Sequence, residues 1–585
     1  GQNIVCDWNT TYSTFVGNDI TAAGNGVNLT SVGNNINTGG KLNTAIGSSI
    51  ISQGRWNTAV GNNLNIVSEH TNAFGNNISA TGLDSTFIGS DITAVNTNNT
   101  NILGNHITIK NTTANSEATR DPVTDEIIVP AVMGGTILGN NIGVTDSRGV
   151  TVTGDSNTVT ASNGISIFGP SNIANNAPNS TIIGRNNQIQ DATTSTVIGL
   201  NSKITGRYDS VAIGNQVTID QAVAGIGIGS NAYVASNFGT AIGNSTLIDN
   251  NSYGSAAIGK AAKVQQSAFG MALGNGASLS NTYASQALGS NSSVTDSKRA
   301  AAIGDTAKVA SSHDALAAGS QADVATSERG TAVGYGAKLS KANSSTALGA
   351  SSSVTDGIGS QALGNNANVT SSTRSSAMGN GAKITSSNDA LATGATANVE
   401  NSERGTAVGF AANVQKGFAS NALGSGAKVF DSTNATSVGN ATISSNSNFS
   451  TAVGNSAKVT SSVNAGAYGQ NASVTNSANS TALGQNAIVN NSNSAMALGQ
   501  KSLVDGSINA SAVGYGSQVI NNSIYSQAFG ASNIIDGSQY STAVGKSSTI
   551  TASNNASLVG TNSKIINASN YSQAFGTNNI IDGST

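Results

Sequence analysis

Thr451-Ala452-Val453-Gly454-Asn455-Ser456-Ala457-Lys458-Val459-Thr460-Ser461-Ser462-Val463-Asn464-Ala465 is one unit of a fifteen-residue repeat, and its reading decides the fold. The glycine returns without a slip from Gly304 to Gly514, through Gly319, Gly334, Gly349, Gly364, Gly409, Gly454 and Gly484 among others. Near the N-terminus the step is one residue shorter, at Gly33, Gly47, Gly61, Gly75 and Gly89. Self-similarity at a fixed short period means stacked structural units rather than a globular domain. A unit that tolerates one residue more or less has a loop to hold it. The polar stretch Thr460–Asn464 reads as that loop.

With the glycine as position zero, apolar residues fall at −2, −1, +3 and +5: Ala452, Val453, Ala457 and Val459. The tract is too short and too rich in Gly and Ser for a helix, while Val, Ile and Thr suit strands. Two short strands per unit, joined near the glycine and by the polar loop, make one coil. Coils stacked about 4.8 Å apart predict an all-β parallel solenoid, a rod roughly 180 Å long. The glycine is expected to supply a positive φ or a close backbone approach at the bend, making it a structural turn.

On an extended backbone −1, +3 and +5 share parity and face one side, and −2 faces the other. From Gly214 onward position −2 is nonetheless almost always Ala: Ala302, Ala317, Ala332, Ala347, Ala362, Ala407, Ala452 and Ala482. A solvent face varies among polar residues, so a stripe of one small apolar residue predicts packing between chains along the solenoid.

Composition bounds the function. The chain has 585 residues, of which 9% are charged and 4% aromatic, with a formal net charge of −3. Disordered chains are more charged and lack an apolar period, so order is expected. No basic patch points to nucleic acid, and no apolar run is long enough for a membrane-spanning helix. Cys6 is the single cysteine, so no internal disulfide forms; a buried thiol is the expectation, and pairing between chains the alternative. The histidines His70, His106 and His313 lie far apart without partners at ligand spacing. No nucleophile–base set repeats, so the chain reads as a non-enzyme without cofactor or metal.

Two regions are expected. Residues 1–205 carry larger residues at −2, such as Phe87, Ile102 and Ile182, and form divergent coils with an insertion near 105–138. Residues 206–585 form regular coils. The insertion carries a charge cluster from Glu117 to Glu126 and two prolines, Pro122 and Pro130. Solenoid insertions map to loops on one face, often a binding face. Above the coil sits a 75-residue period: Ser312-His313-Asp314-Ala315-Leu316 returns as Ser387-Asn388-Asp389-Ala390-Leu391, and Ser327-Glu328-Arg329-Gly330 as Ser402-Glu403-Arg404-Gly405. The period runs out at Ile580-Ile581-Asp582-Gly583 without a capping segment, so the array is expected to continue or to stack end to end.

Asp209-Ser210-Val211-Ala212-Ile213-Gly214 and Ala300-Ala301-Ala302-Ile303-Gly304-Asp305-Thr306-Ala307-Lys308-Val309 resemble the YadA-like head repeats of trimeric autotransporter adhesins. The resemblance covers residues 206–585 well and 1–205 loosely. It implies a left-handed parallel β-roll, three chains about one axis and exposure on a cell surface. The chain departs from the family in having no neck, heptad stalk or membrane β-barrel, and in placing Val or Ile at +5.

The sequence therefore predicts an extracellular structural and adhesive protein, part of a surface fibre or adhesin that attaches to matrix, host or neighbouring cells. Its first partner is itself, as a homotrimer or an end-to-end polymer. A purely structural filament without an adhesive ligand is the alternative. Ice binding ranks below both, because Thr and Ser positions are mixed with Asn, Ala and Gln.

Overall fold

The structure, a computed structural model, describes residues 2–6, 9–110, 119–120, 127–128 and 134–583. The described residues form strands and turns without helices, and so none of them makes a helix long and apolar enough to cross a membrane. They form a parallel β-solenoid in two units, residues 1–291 and 292–585. The change of composition near residue 205 lies within the first unit.

In the early coils of unit 1 each turn of chain is nearly one continuous ladder. Thr44–Arg55 pairs in parallel with Thr58–Glu69, and Gly47 faces Gly61. These runs are not straight. Ser49 and Asn63, at φ of 53° and 56°, turn the chain midway; Trp56 and His70, at 57° and 53°, turn it between runs. One coil is thus two arms hinged at two left-handed corners. From Gly143 onward the step is mostly fifteen and the strands mostly shorten, as in Thr151–Thr153 beside Ser166–Phe168. Between residues 111 and 133 only Thr119–Arg120 and Ile127–Ile128 are described, as a small antiparallel pair. The binding loop expected between them lies outside the described residues.

Unit 2 repeats one coil with little variation. Thr451–Val453 pairs with Gly466–Tyr468, and Lys458–Thr460 with Ser473–Thr475. Between these strands the chain turns at Ser456, Ser461 and Asn464, all left-handed. Gly454 at φ 135° opens the first corner. The same geometry recurs at Gly304, Gly319, Gly334, Gly349, Gly364, Gly409 and Gly484, with φ between 128° and 137°. A second constraint acts there. A Cβ built on Gly304 would lie 2.5 Å from the carbonyl oxygen of Gly319 in the next coil. The glycine column therefore serves both the backbone conformation and the close approach of successive coils.

In unit 2 the core is narrow and made of small side chains, whereas unit 1 buries larger ones such as Phe87, Ile102 and Ile182. In the coil of Gly454, Ala452, Ala457 and Val459 are fully buried and Ala465 nearly so. Buried serines fill the rest of the cross-section and satisfy the turn backbone. Ser462 Oγ donates to the Thr460 carbonyl at 2.8 Å and accepts the Ser477 amide at 2.9 Å. Ser477, Ser492 and Ser507 continue the column in the same way.

Candidate functional site

The alanines at −2 do not face a neighbouring chain. Ala302, Ala317, Ala332, Ala347, Ala362, Ala407, Ala452 and Ala482 are each 0% exposed in the single chain, pointing into their own coil. The parity argument fails at the corner. Gly454 at φ 135° and Ser456 at φ 57° lie between the two strands, so two-residue alternation does not carry across. Inside are −2, +3 and +5; outside the first strand are −3 and −1. The smallness at −2 in the regular coils was the signal: their narrow interior admits Ala, and larger residues stand one position later, while in the earlier coils Phe87, Ile102 and Ile182 point inward at the same position.

The outward face of the first strand is thus the apolar one. Its −1 column includes Ile303, Leu348 and Leu483, which are 40%, 48% and 49% exposed. Thr331, Thr346, Thr406 and Thr451 stand beside it at −3, with Met496 in one coil. The same column exists in unit 1, where Ile46, Ile88 and Ile183 are outward and exposed. Large exposed aliphatic side chains in one row form a candidate interaction face.

The left-handed corners carry the polar chemistry. Arg299 grips Asp314 one coil on, with Nε–Oδ1 at 2.5 Å and Nη2–Oδ2 at 2.8 Å. Arg374 grips Asp389 in the same fork, at 2.6 and 2.8 Å. The guanidinium hydrogen bond holds each aspartate below the usual carboxylate range and raises its arginine in turn. Arg404 sits over the Phe418 ring at 4.6 Å from its centroid. The 75-residue duplication thus reappears as two copies of one Arg–Asp–Arg column within unit 2. All these groups are exposed, so the pairs contribute little to stability.

The histidines have neighbours one coil away. His70 stacks on Trp56 with centroids 4.4 Å apart, and its Nδ1 lies 3.3 Å from Asp84. His106 Nε2 lies 3.4 Å from Asp91. His313 Nδ1 accepts the Lys298 amide at 3.1 Å. Among the described residues no three His, Cys, Asp or Glu side chains converge as a metal site would require. Cys6 is an exposed free thiol rather than a buried one. Neither a protein-family model nor a characterised protein matches the chain.

Proposed function

We propose that this chain is an extracellular, non-enzymatic structural and adhesive protein, a β-solenoid that associates with copies of itself as a homotrimer within a cell-surface fibre or adhesin. One observation carries the reading: a −1 column of mostly aliphatic residues stands outward on the first strand in both units, with Ile46, Ile88, Ile183, Ile303, Leu348 and Leu483 among its exposed members. In water such a row favours burial, and an identical row on another copy has the same repeat and so the same spacing. The resemblance of residues 206–585 to YadA-like head repeats supports three copies and a surface location.

Sedimentation of the full chain at micromolar concentration tests the association. The expected mass is three times 57.9 kDa. Combined Leu348→Ser, Leu363→Ser and Leu423→Ser substitutions are expected to shift it toward the monomer with an unchanged circular dichroism spectrum. A wild-type monomer at that concentration defeats the proposal. Adhesion is tested by retention of the labelled chain on matrix-coated or cell-covered surfaces. No retention, together with continuous fibres in electron microscopy of native material, favours the purely structural filament.

A further inference from the structure

The second strand of each regular coil points inward at +5 and outward at +4 and +6, as in Lys458-Val459-Thr460. Position +4 is where the lysines gather. Eight of the sixteen lysines stand there, at one position in fifteen, and none of the nine arginines does. Five fall in one stretch of unit 2: Lys308, Lys338, Lys383, Lys428 and Lys458, all exposed. Parallel pairing joins them into one column. Lys308 stands beside Asp323, and Asp323 beside Lys338. The register then runs through Ser353 and Asn368 to Lys383, through Asn398 and Asn413 to Lys428, and through Ile443 to Lys458. The lysines are two, three, three and two coils apart, about 9.6 or 14.4 Å at the usual strand spacing.

Solubility does not select this position, because −5, +2 and +6 face outward as well. Nor are these charges placed to hold coils together. At the corners Arg299 and Arg374 each grip an aspartate one coil on, whereas among the described residues none of the five lysines forms an ion pair. From residue 308 to residue 460 the outward positions of the second strand carry two acids, Asp323 and Glu400. Five lysines less two acids leave this face at +3, on a chain whose net charge is −3.

We propose that the lysine column binds a linear, sparsely charged anionic polysaccharide laid along the stack of coils. A small anion would meet one lysine, and a single exposed contact of that kind is weak. The column runs over ten coils, about 48 Å, so an extended polymer meets all five. A nucleic acid strand carries a charge every ~3.4 Å, three to four times denser than the lysines. Between the lysines stand uncharged donors and acceptors suited to sugar hydroxyls: Ser353, Asn368, Asn398 and Asn413 at +4, with Thr355 and Thr370 at +6. The site does not rest on self-association, since the −1 row lies on the first strand and the lysines on the second.

The test uses the full chain over immobilised hyaluronate, a linear polysaccharide with one carboxylate on every second sugar. Neutral dextran and single-stranded DNA are the comparisons. Saturable binding to hyaluronate is expected, weakening as NaCl rises, with none to dextran. Combined Lys338→Gln, Lys383→Gln and Lys428→Gln substitutions are expected to weaken it by about tenfold or more. Lys341→Gln, Lys416→Gln and Lys501→Gln together remove the same charge from left-handed corners and are expected to leave binding unchanged. Should the first variant alter the circular dichroism spectrum, Lys383→Gln alone takes its place, with a severalfold loss expected. Absence of saturable binding, equal binding to dextran, tighter binding to single-stranded DNA, or equal loss in the corner variant overturns the proposal.

Discussion

At Gly409 the backbone leaves little choice. Its φ is 132°, and a Cβ there falls against the carbonyl of Gly424. Gly409→Ala is expected to cost about 2–4 kcal/mol, from backbone strain and from overpacking against the next coil. Native-state hydrogen exchange of the amides on both sides, from Thr406 to Leu423, is the measurement; protection equal to wild type contradicts the role. The importance of this residue was legible, because a phase kept over many repeats needs a mechanical cause. The direction of its neighbour was not. Ala407 was expected outside and lies inside, because alternation is a rule for continuous strands and the corner interrupts it. The apolar residue facing outward is Val408, which one-residue reading assigned to the core. Periodicity located the bend without giving its angle.

Strands of three residues are too short to hold themselves, so each coil depends on what lies between them. Buried serines supply part of that. Ser462→Ala removes the acceptor of the buried Ser477 amide and a donor to Thr460. The expected loss is about 1–3 kcal/mol, read as faster amide exchange at Ser477. An unchanged rate there removes the column from the account of stability. The serine column was visible in sequence only as polar loop, since composition does not say which hydroxyls point inward. At the corners the Arg299–Asp314 fork makes a titration prediction. Its aspartate pKa is lowered chiefly by the guanidinium hydrogen bond. The pair's small contribution is therefore present above the ordinary carboxylate range and fades as pH falls through the lowered value. In Arg299→Gln the Asp314 midpoint, followed by carboxyl-carbon NMR, is expected to rise toward that range. A midpoint that does not move rejects the fork as its cause. These ladders were foreshadowed by the 75-residue period, although nothing in it said that the arginine and aspartate of adjacent coils meet.

For the molecule as a whole, sparse charge is the governing fact: 9% of residues and a net charge of −3, with the ion pairs among the described residues at exposed corners. Stability is carried by backbone ladders and small buried side chains, which salt screens little. Raising NaCl from low to physiological concentration is expected to move the midpoint of thermal unfolding by no more than about 2 °C. A larger drop means that electrostatics matter more than the pairs described. Because each coil touches chiefly its neighbours, stability within a unit is a sum of repeat and interface contributions, and local opening is expected before global unfolding.

The glycine-on-glycine register has one more consequence. Within unit 2 it fixes the step from coil to coil, so a duplicated segment keeps its place within the coil and moves along the stack by a whole number of steps. The Arg299–Asp314–Arg329 column and its copy Arg374–Asp389–Arg404 are five repeats apart, about 24 Å at the ordinary strand spacing. The unit therefore works as a graduated scale. Distances along it are counted in whole marks, and adding a mark lengthens the scale without redrawing those already there.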